Sequence, residues 1–280
     1  MNISNEAPPT NGACNITDLY IYYYIAPYDV VLHVFNILFG LPTHSYILWL
    51  IVRGTGRGIA SEFFTLNISV CEIMLCLRSL NAVLGNVFPK LWTVMMFLSG
   101  FVMTARFFQC LMCVERYLAV VHPVTFLKYK PLRYRVACSV VTWIMIIICC
   151  VFSLELVNPC FMRLFKCMYL SHFIIFLSIN LFCCVAVLRA LKHLGPGERG
   201  REREEENHMK RRAFHLILIT TVTLVITYVP SSITALQYIL SIPASQELES
   251  MTLTCFFLPG FVQPLLFIHR VGKLPFCRSP

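Results

Sequence analysis

Seven stretches of this chain are long and apolar enough to cross a lipid bilayer, and this restricts its fold more than any other feature. The hydrocarbon core of a bilayer is about 30 Å thick, so a helix needs about 20 apolar residues to span it. Val30–Val52 runs for 23 residues without Asp, Glu, Lys or Arg, Val136–Leu154 for 19 and Met168–Leu188 for 21. Ala213–Tyr238 and Met251–Ile268 are also free of them. Phe63–Val87 is interrupted by Glu72 and Arg78, and Leu91–Val114 by Arg106. The expected spans cover residues 30–52, 63–87, 91–119, 136–157, 168–192, 211–240 and 249–269. They form a domain over 29–270, between an N-terminal tail, 1–28, and a short C-terminal tail, 271–280. In lipid every backbone polar group must be satisfied internally, which leaves helices or closed barrels. The ten-residue alternating units of a barrel are absent. The expected fold is an all-α membrane protein, a seven-transmembrane helix bundle.

Composition agrees. Charged residues make up 13% of the 280 and hydrophobic ones 58%. A water-soluble globule of this size cannot hide that much apolar side chain. A soluble enzyme, a nucleic-acid-binding domain and a disordered chain are thereby disfavoured, and no nucleic-acid partner is expected. The first 18 residues are polar, so no cleavable signal peptide is expected.

The net charge of +9 is unevenly distributed. One set of loops holds Arg53, Arg57, Lys128, Lys130, Arg133, Arg135, Arg189, Lys192, Arg199, Arg201, Arg203, Lys210, Arg211, Arg212, Arg270, Lys273 and Arg278, a total of 17. The other holds 3: Lys90, Arg163 and Lys166. Lysine and arginine concentrate on the cytoplasmic side. The expected orientation therefore puts the N-terminus outside and the C-terminus in the cytoplasm. Glycosylation sequons at Asn2 and Asn15 fall in the outside tail, while a third, at Asn67, lies inside span two and is discounted. The one long loop, 195–212, opens with Gly195-Pro196-Gly197 and continues as mixed Arg and Glu, a solvated prolongation of spans five and six.

Most of the fourteen cysteines lie inside apolar runs, where cysteine behaves as a small hydrophobe. Cys14, Cys160 and Cys167 are better placed for oxidation, and Cys277 in the C-terminal tail is a palmitoylation candidate. No Cys-x-x-Cys array with histidines suggests a metal, and no cofactor is expected. No catalytic grouping of Ser, His and Asp falls at one membrane depth, so no catalytic residues are assigned.

At the inner end of span three stands Glu115-Arg116-Tyr117-Leu118-Ala119-Val120-Val121-His122-Pro123. This resembles the Asp-Arg-Tyr signature of rhodopsin-like G-protein-coupled receptors, with Glu in place of Asp. The resemblance extends over nearly all of the chain beyond the N-terminal tail. Gly40-Leu41-Pro42 with Ile47-Leu48-Trp49-Leu50 looks like span one of the nucleotide, lipid, hydroxycarboxylic-acid and protease-activated receptor group. Leu66-Asn67-Ile68-Ser69-Val70-Cys71-Glu72 resembles that family's span two, Trp143 its span-four tryptophan and Pro230 its span-six proline. Gln263-Pro264-Leu265-Leu266-Phe267 stands where the family has Asn/Asp-Pro-x-x-Tyr. The resemblance implies a receptor for an extracellular ligand with a heterotrimeric G protein as cytoplasmic partner. It also implies roles in coupling for Glu115, Arg116, Tyr117, Lys210, Pro230, Pro264 and Phe267. A carboxylate beside a guanidinium holds it at rest, and prolines inside spans permit hinge motion.

The chain also departs from the pattern. The span-three cysteine that the family bonds to its second outer loop falls at Leu91, which leaves Cys160 to pair with Cys167, or one of them with Cys14. The span-one asparagine falls at His44, the span-two aspartate at Glu72 and the span-seven tyrosine at Phe267. The span-six tryptophan or phenylalanine falls at Tyr228. The family's sodium-site companions fall at Phe101 and Ala105, which offer no oxygens. An acid that many relatives carry at the inner end of span six falls at Lys210, which would repel Arg116. These changes bear on the family's usual activation relay, so a receptor-like binding or scavenging protein without G-protein output is an alternative. A transporter is a weaker one.

Charges inside a membrane are expensive, about 2.5–3.5 kcal/mol each on insertion scales, and they mark function. Glu72 and Arg106 are read as a core polar switch or a structural ion pair. Arg106 lies ten residues before Arg116, so about 15 Å deeper by helical rise. Arg78, Arg106, Arg163 and Lys166, with Tyr228, Gln237 and Tyr238 of span six, are candidates to line a ligand site. The basic members favour a small anionic ligand such as a lipid acid, carboxylate or nucleotide, with a peptide ligand or none at all as the alternatives.

Overall fold

The computed structural model describes residues 27–53, 62–85, 87–88, 91–129, 132–154, 159–192, 201–243 and 245–271. Among them are seven helices long and apolar enough to cross a membrane, and no strand. Span one is Pro27–Val52, two Phe63–Gly85, three Trp92–Val121, four Leu132–Ser153, five Pro159–Lys192, six Arg201–Ile239 and seven Gln246–Val271. A short helix, Pro123–Tyr129, follows span three. Span four begins and ends about one turn earlier than the sequence suggests. Spans five and six begin nine or ten residues earlier, because charged and mixed stretches continue the helices past their apolar parts.

Span three is the hub, packed against spans two, four, five and six, while spans one and seven close the ring. Span four shows what kind of solvent the bundle expects. Val140, Ile144, Ile147, Ile148 and Val151 point outward and are exposed, whereas Ser139, Thr142 and Ser153 are buried. A soluble helix has the opposite polarity. Here the apolar face suits lipid, and the small polar residues permit close helix approach. Gly100 of span three is the clearest case. A Cβ there would collide with the Cα of Cys150, so spans three and four touch backbone to backbone. The hydroxyl of Ser153 spans the same seam, donating to the carbonyl of Met96 at 2.8 Å.

Prolines shape three spans, and in span seven the carbonyls they free are taken up by neighbouring helices. Proline has no N–H and leaves the carbonyl four residues earlier without its helical donor. Pro259 leaves that of Cys255, which accepts from Thr227 Oγ1 of span six at 3.3 Å. Pro264 leaves that of Gly260, which accepts from His44 Nε2 of span one at 2.9 Å. In span one, the turn Asn36–Gly40 just before Pro42 is π-helical. It turns the side chain of Asn36 to Ser79 of span two at 3.0 Å, and the carbonyl of Asn36 accepts from the Cys76 thiol. Pro230 sits buried in a span six that stays helical through it.

Candidate functional site: a polar centre and the Arg116 cavity

Two polar regions lie along the bundle axis. The first is at its centre. Arg106 Nη1 of span three donates to Glu72 Oε1 of span two at 3.0 Å, with Glu72 5% and Arg106 1% exposed. The guanidinium also reaches span seven, where Nη2 lies 3.5 Å from the Phe256 carbonyl and the ring of Phe256 sits beneath it. Gly260 makes room for the acid, since a Cβ on it would stand 3.3 Å from Glu72 Oε2. Gly260 is the residue whose carbonyl is held by His44. Spans one, two, three and seven thus meet in one buried polar cluster. An isolated charge at this depth would be prohibitive, and pairing offsets the cost of desolvation.

Span four is tied to the same core from the side. Trp143 Nε1 donates to Asn67 Oδ1 at 2.8 Å, and Asn67 Nδ2 donates to the Phe63 carbonyl. Both polar ends of Asn67 are thereby engaged in a buried position, where a glycan cannot be carried.

The second region is at the end of the bundle that carries Glu115-Arg116-Tyr117. Arg116 lines a cavity between spans two, three, six and seven, together with Thr65, Cys113, Thr220, Gln263 and Phe267. Phe267, at the tyrosine position of the family pattern, is buried against Ile47, Leu50 and Ile51 of span one. Pro264 lies one turn before it. Glu115 turns away from the cavity and accepts a 2.6 Å charge-assisted hydrogen bond from Arg135 Nη2 of span four. Tyr117 OH meets His122 Nε2 at 3.1 Å, and the Tyr117 ring packs edge-on to Phe182 of span five. Lys210 lies on the span-six helix, but its side chain is outside the described residues.

The candidate ligand residues stand in different environments. Tyr228 is fully buried, stacked between Tyr169 and Phe173 of span five at 5.1 and 5.2 Å. It is therefore a packing residue of the span five–six seam. Gln237 and Tyr238 are partly buried further along span six. Arg163 is exposed, Arg78 is partly buried, and Lys166 lies within electrostatic reach of Glu249. The same end carries acids that the reading of loop charges left aside. Asp29 accepts from Ser250 at 2.9 Å, which ties span one to span seven, and Glu247 and Glu249 are exposed in the first turn of span seven.

One expectation is corrected. Cys160 and Cys167 lie on the same helix, Pro159–Lys192. Seven helical residues rise about 10.5 Å, beyond the reach of a disulfide. They do not pair with each other, and Cys167 carries a free thiol. Asn2, Cys14, Asn15, Lys90 and Cys277, like the side chain of Cys160, lie outside the described residues.

Nothing local in the sequence singles out Arg135 as a partner of Glu115, His44 as a donor to span seven, or Pro259 with its Thr227 contact. Arg135 was legible only as one more basic residue at a helix start, and a contact between spans has no signature within one span.

Comparison with known proteins settles the family. A profile for seven-transmembrane receptors of the rhodopsin family matches residues 44–266. The chain belongs to this family. The receptor is 27% identical over 250 residues to human (Homo sapiens) chemokine XC receptor 1, covering 80% of its own length and 71% of the relative's. It is 26% identical over 227 residues to the mouse (Mus musculus) protein of the same name, covering 73% of its own length and 65% of the relative's. As a seven-span member of this family it is a multi-pass plasma-membrane protein, a receptor by kind. Among the described residues no group of three or more His, Cys, Asp and Glu side chains could hold a metal ion.

Proposed function

We propose that this receptor couples an extracellular ligand to a heterotrimeric G protein, with the Arg116 end of the bundle in the cytoplasm and the Glu249 end outside. The observation that carries this is Arg116 facing a cavity framed by spans two, three, six and seven while the neighbouring Glu115 is engaged by span four. A guanidinium in such a recess is suited to carbonyl and carboxylate groups of an inserted peptide segment. The loop-charge asymmetry supports the orientation.

For the ligand we favour a chemokine, from the name of the relatives and from the acids Asp29, Glu247 and Glu249 at the outer end. The small anionic ligand expected from Arg78, Arg163 and Lys166 is the second reading. Exposed Arg163 is the observation in its favour.

The deciding experiment measures guanine-nucleotide exchange on a panel of purified heterotrimeric G proteins by the receptor in lipid nanodiscs. It is run alone, with a panel of chemokines and with a library of anionic metabolites. Exchange that rises with a ligand and vanishes in Arg116→Ala supports the proposal. Saturable binding of a chemokine with no exchange on any G protein favours a scavenging receptor and overturns the coupling.

A further inference from the structure

The buried partner of Glu115 points to a residue that governs the coupling site without lining it. Arg135 stands in the first turn of span four, beside Arg133, and the two have different environments. Arg133 is exposed and stacks on the ring of Tyr134 at 4.9 Å, as a basic residue at a membrane boundary does. Arg135 is 7% exposed. A buried guanidinium is costly unless paired, and the positive end of a helix dipole adds to the cost. The carboxylate of Glu115 compensates it at 2.6 Å, with only 8% and 14% of the two side chains exposed. A pair so shielded is less screened by salt than a surface pair.

Glu115 also lies within electrostatic reach of Arg116, so one carboxylate has two guanidinium neighbours. The helix decides between them. Adjacent residues on a helix are about 100° apart and do not face each other, whereas a residue on a packed neighbouring helix is met head-on. Glu115 accordingly turns to span four, and Arg116 turns to the cavity with Gln263 and Phe267.

We infer that Arg135 is a positioning residue for G-protein engagement: by holding Glu115 against span four, it keeps that carboxylate from drawing Arg116 out of the cavity. This rests on the coupling reading above. Removing Arg135 leaves Glu115 with Arg116, the other guanidinium within its reach among the described residues, and the arginine is then drawn back from the recess. The device acts on how readily a G protein is engaged, not on the turnover of a complex already formed.

The test measures ligand-free exchange against G-protein concentration in nanodiscs at equal amounts of folded receptor, for wild type, Arg135→Gln, Arg135→Lys and the double variant Glu115→Gln/Arg135→Gln. Arg135→Gln is expected to raise the half-saturating G-protein concentration about five-fold, the effect of about 1 kcal/mol, with the maximal rate unchanged. Arg135→Lys keeps the charge and is expected to stay close to wild type. The double variant is expected to recover, because the neutral amide that replaces the Glu115 carboxylate has no charge with which to recapture Arg116. A fall in maximal rate alone means damage to the bundle and overturns the inference. So does an unchanged half-saturation in Arg135→Gln, or a double variant no better than the single one. Arg116→Ala in each background separates the two readings. If exchange survives it, or if the wild type drives none even with the chemokines and anionic metabolites of the panel above, the coupling reading itself fails.

Discussion

Arg106 and Glu72 face each other across spans three and two at 3.0 Å, both buried inside the bundle. The pair is more than a bridge between two helices. Arg106 also touches the Phe256 carbonyl, and Glu72 rests against Gly260, so the pair reports the position of span seven. Removing one partner strands the other charge in a low-dielectric interior, at a cost of about 3–5 kcal/mol. Removing both leaves an apolar gap but no unpaired charge. Glu72→Gln and Arg106→Leu are each expected to reduce surface expression strongly, and the double variant less than either. Flow cytometry of an N-terminally tagged receptor makes the comparison. Losses that simply add would show that the two charges are not coupled.

Gly100 is expected to tolerate no side chain. A Cβ at this position collides with the backbone Cα and N of Cys150, and backbone cannot rotate away. Gly100→Ala must therefore push spans three and four apart, at a cost of about 1–3 kcal/mol as for other overpacked sites. The melting temperature of detergent-purified protein should fall by several degrees. An unchanged melting temperature would mean that the seam between the two helices is looser than the contact implies.

Sodium should have little effect. The resemblance to rhodopsin-like receptors raised an ion site around the span-two acid, but in this chain Arg106 supplies the neutralising charge directly. Phe101, at one of the positions expected to offer oxygen, is buried as part of the apolar core beside Trp143. Thermal stability and ligand affinity compared in sodium and in N-methylglucamine at equal ionic strength should coincide. A sodium-specific shift would sink this expectation.

Lys210 is expected to raise ligand-free signalling by repelling Arg116, an expectation from sequence alone. An acid at this position would attract Arg116 and favour the closed bundle. Lys210→Glu should then lower basal exchange several-fold, in line with the effect of about 1 kcal/mol on a two-state balance. Basal exchange at equal surface expression is the quantity to compare. A Lys210→Glu receptor as active as the wild type, or more so, would remove Lys210 from the account.

The seven spans were legible in the sequence because lipid imposes a requirement on each segment separately. A helix must be long and apolar enough to cross, and that is a property of 20 or so consecutive residues. Glu115-Arg116-Tyr117 was legible for a similar reason, since its members are contiguous. The charges Glu72, Arg78 and Arg106 stood out against their apolar surroundings, but their partners did not. Which of them meet depends on the rotation and depth of two different helices, and no local pattern encodes that. Arg106 met Glu72 of span two. Tyr228 had the chemistry of a ligand contact, but the packing of span five against span six buried it between Tyr169 and Phe173. Cys160 and Cys167 looked like loop cysteines until the extension of span five placed both on one rigid rod. The sequence by itself determined the spans, their polarity relative to lipid and the contiguous Glu115-Arg116-Tyr117 motif. Only the tertiary structure decided that the carbonyls freed by Pro259 and Pro264 go to Thr227 and His44, and that Glu115 belongs to Arg135. Those are choices between partners far apart in the chain, made by the need of buried charges and backbone groups to be satisfied where no water can do it.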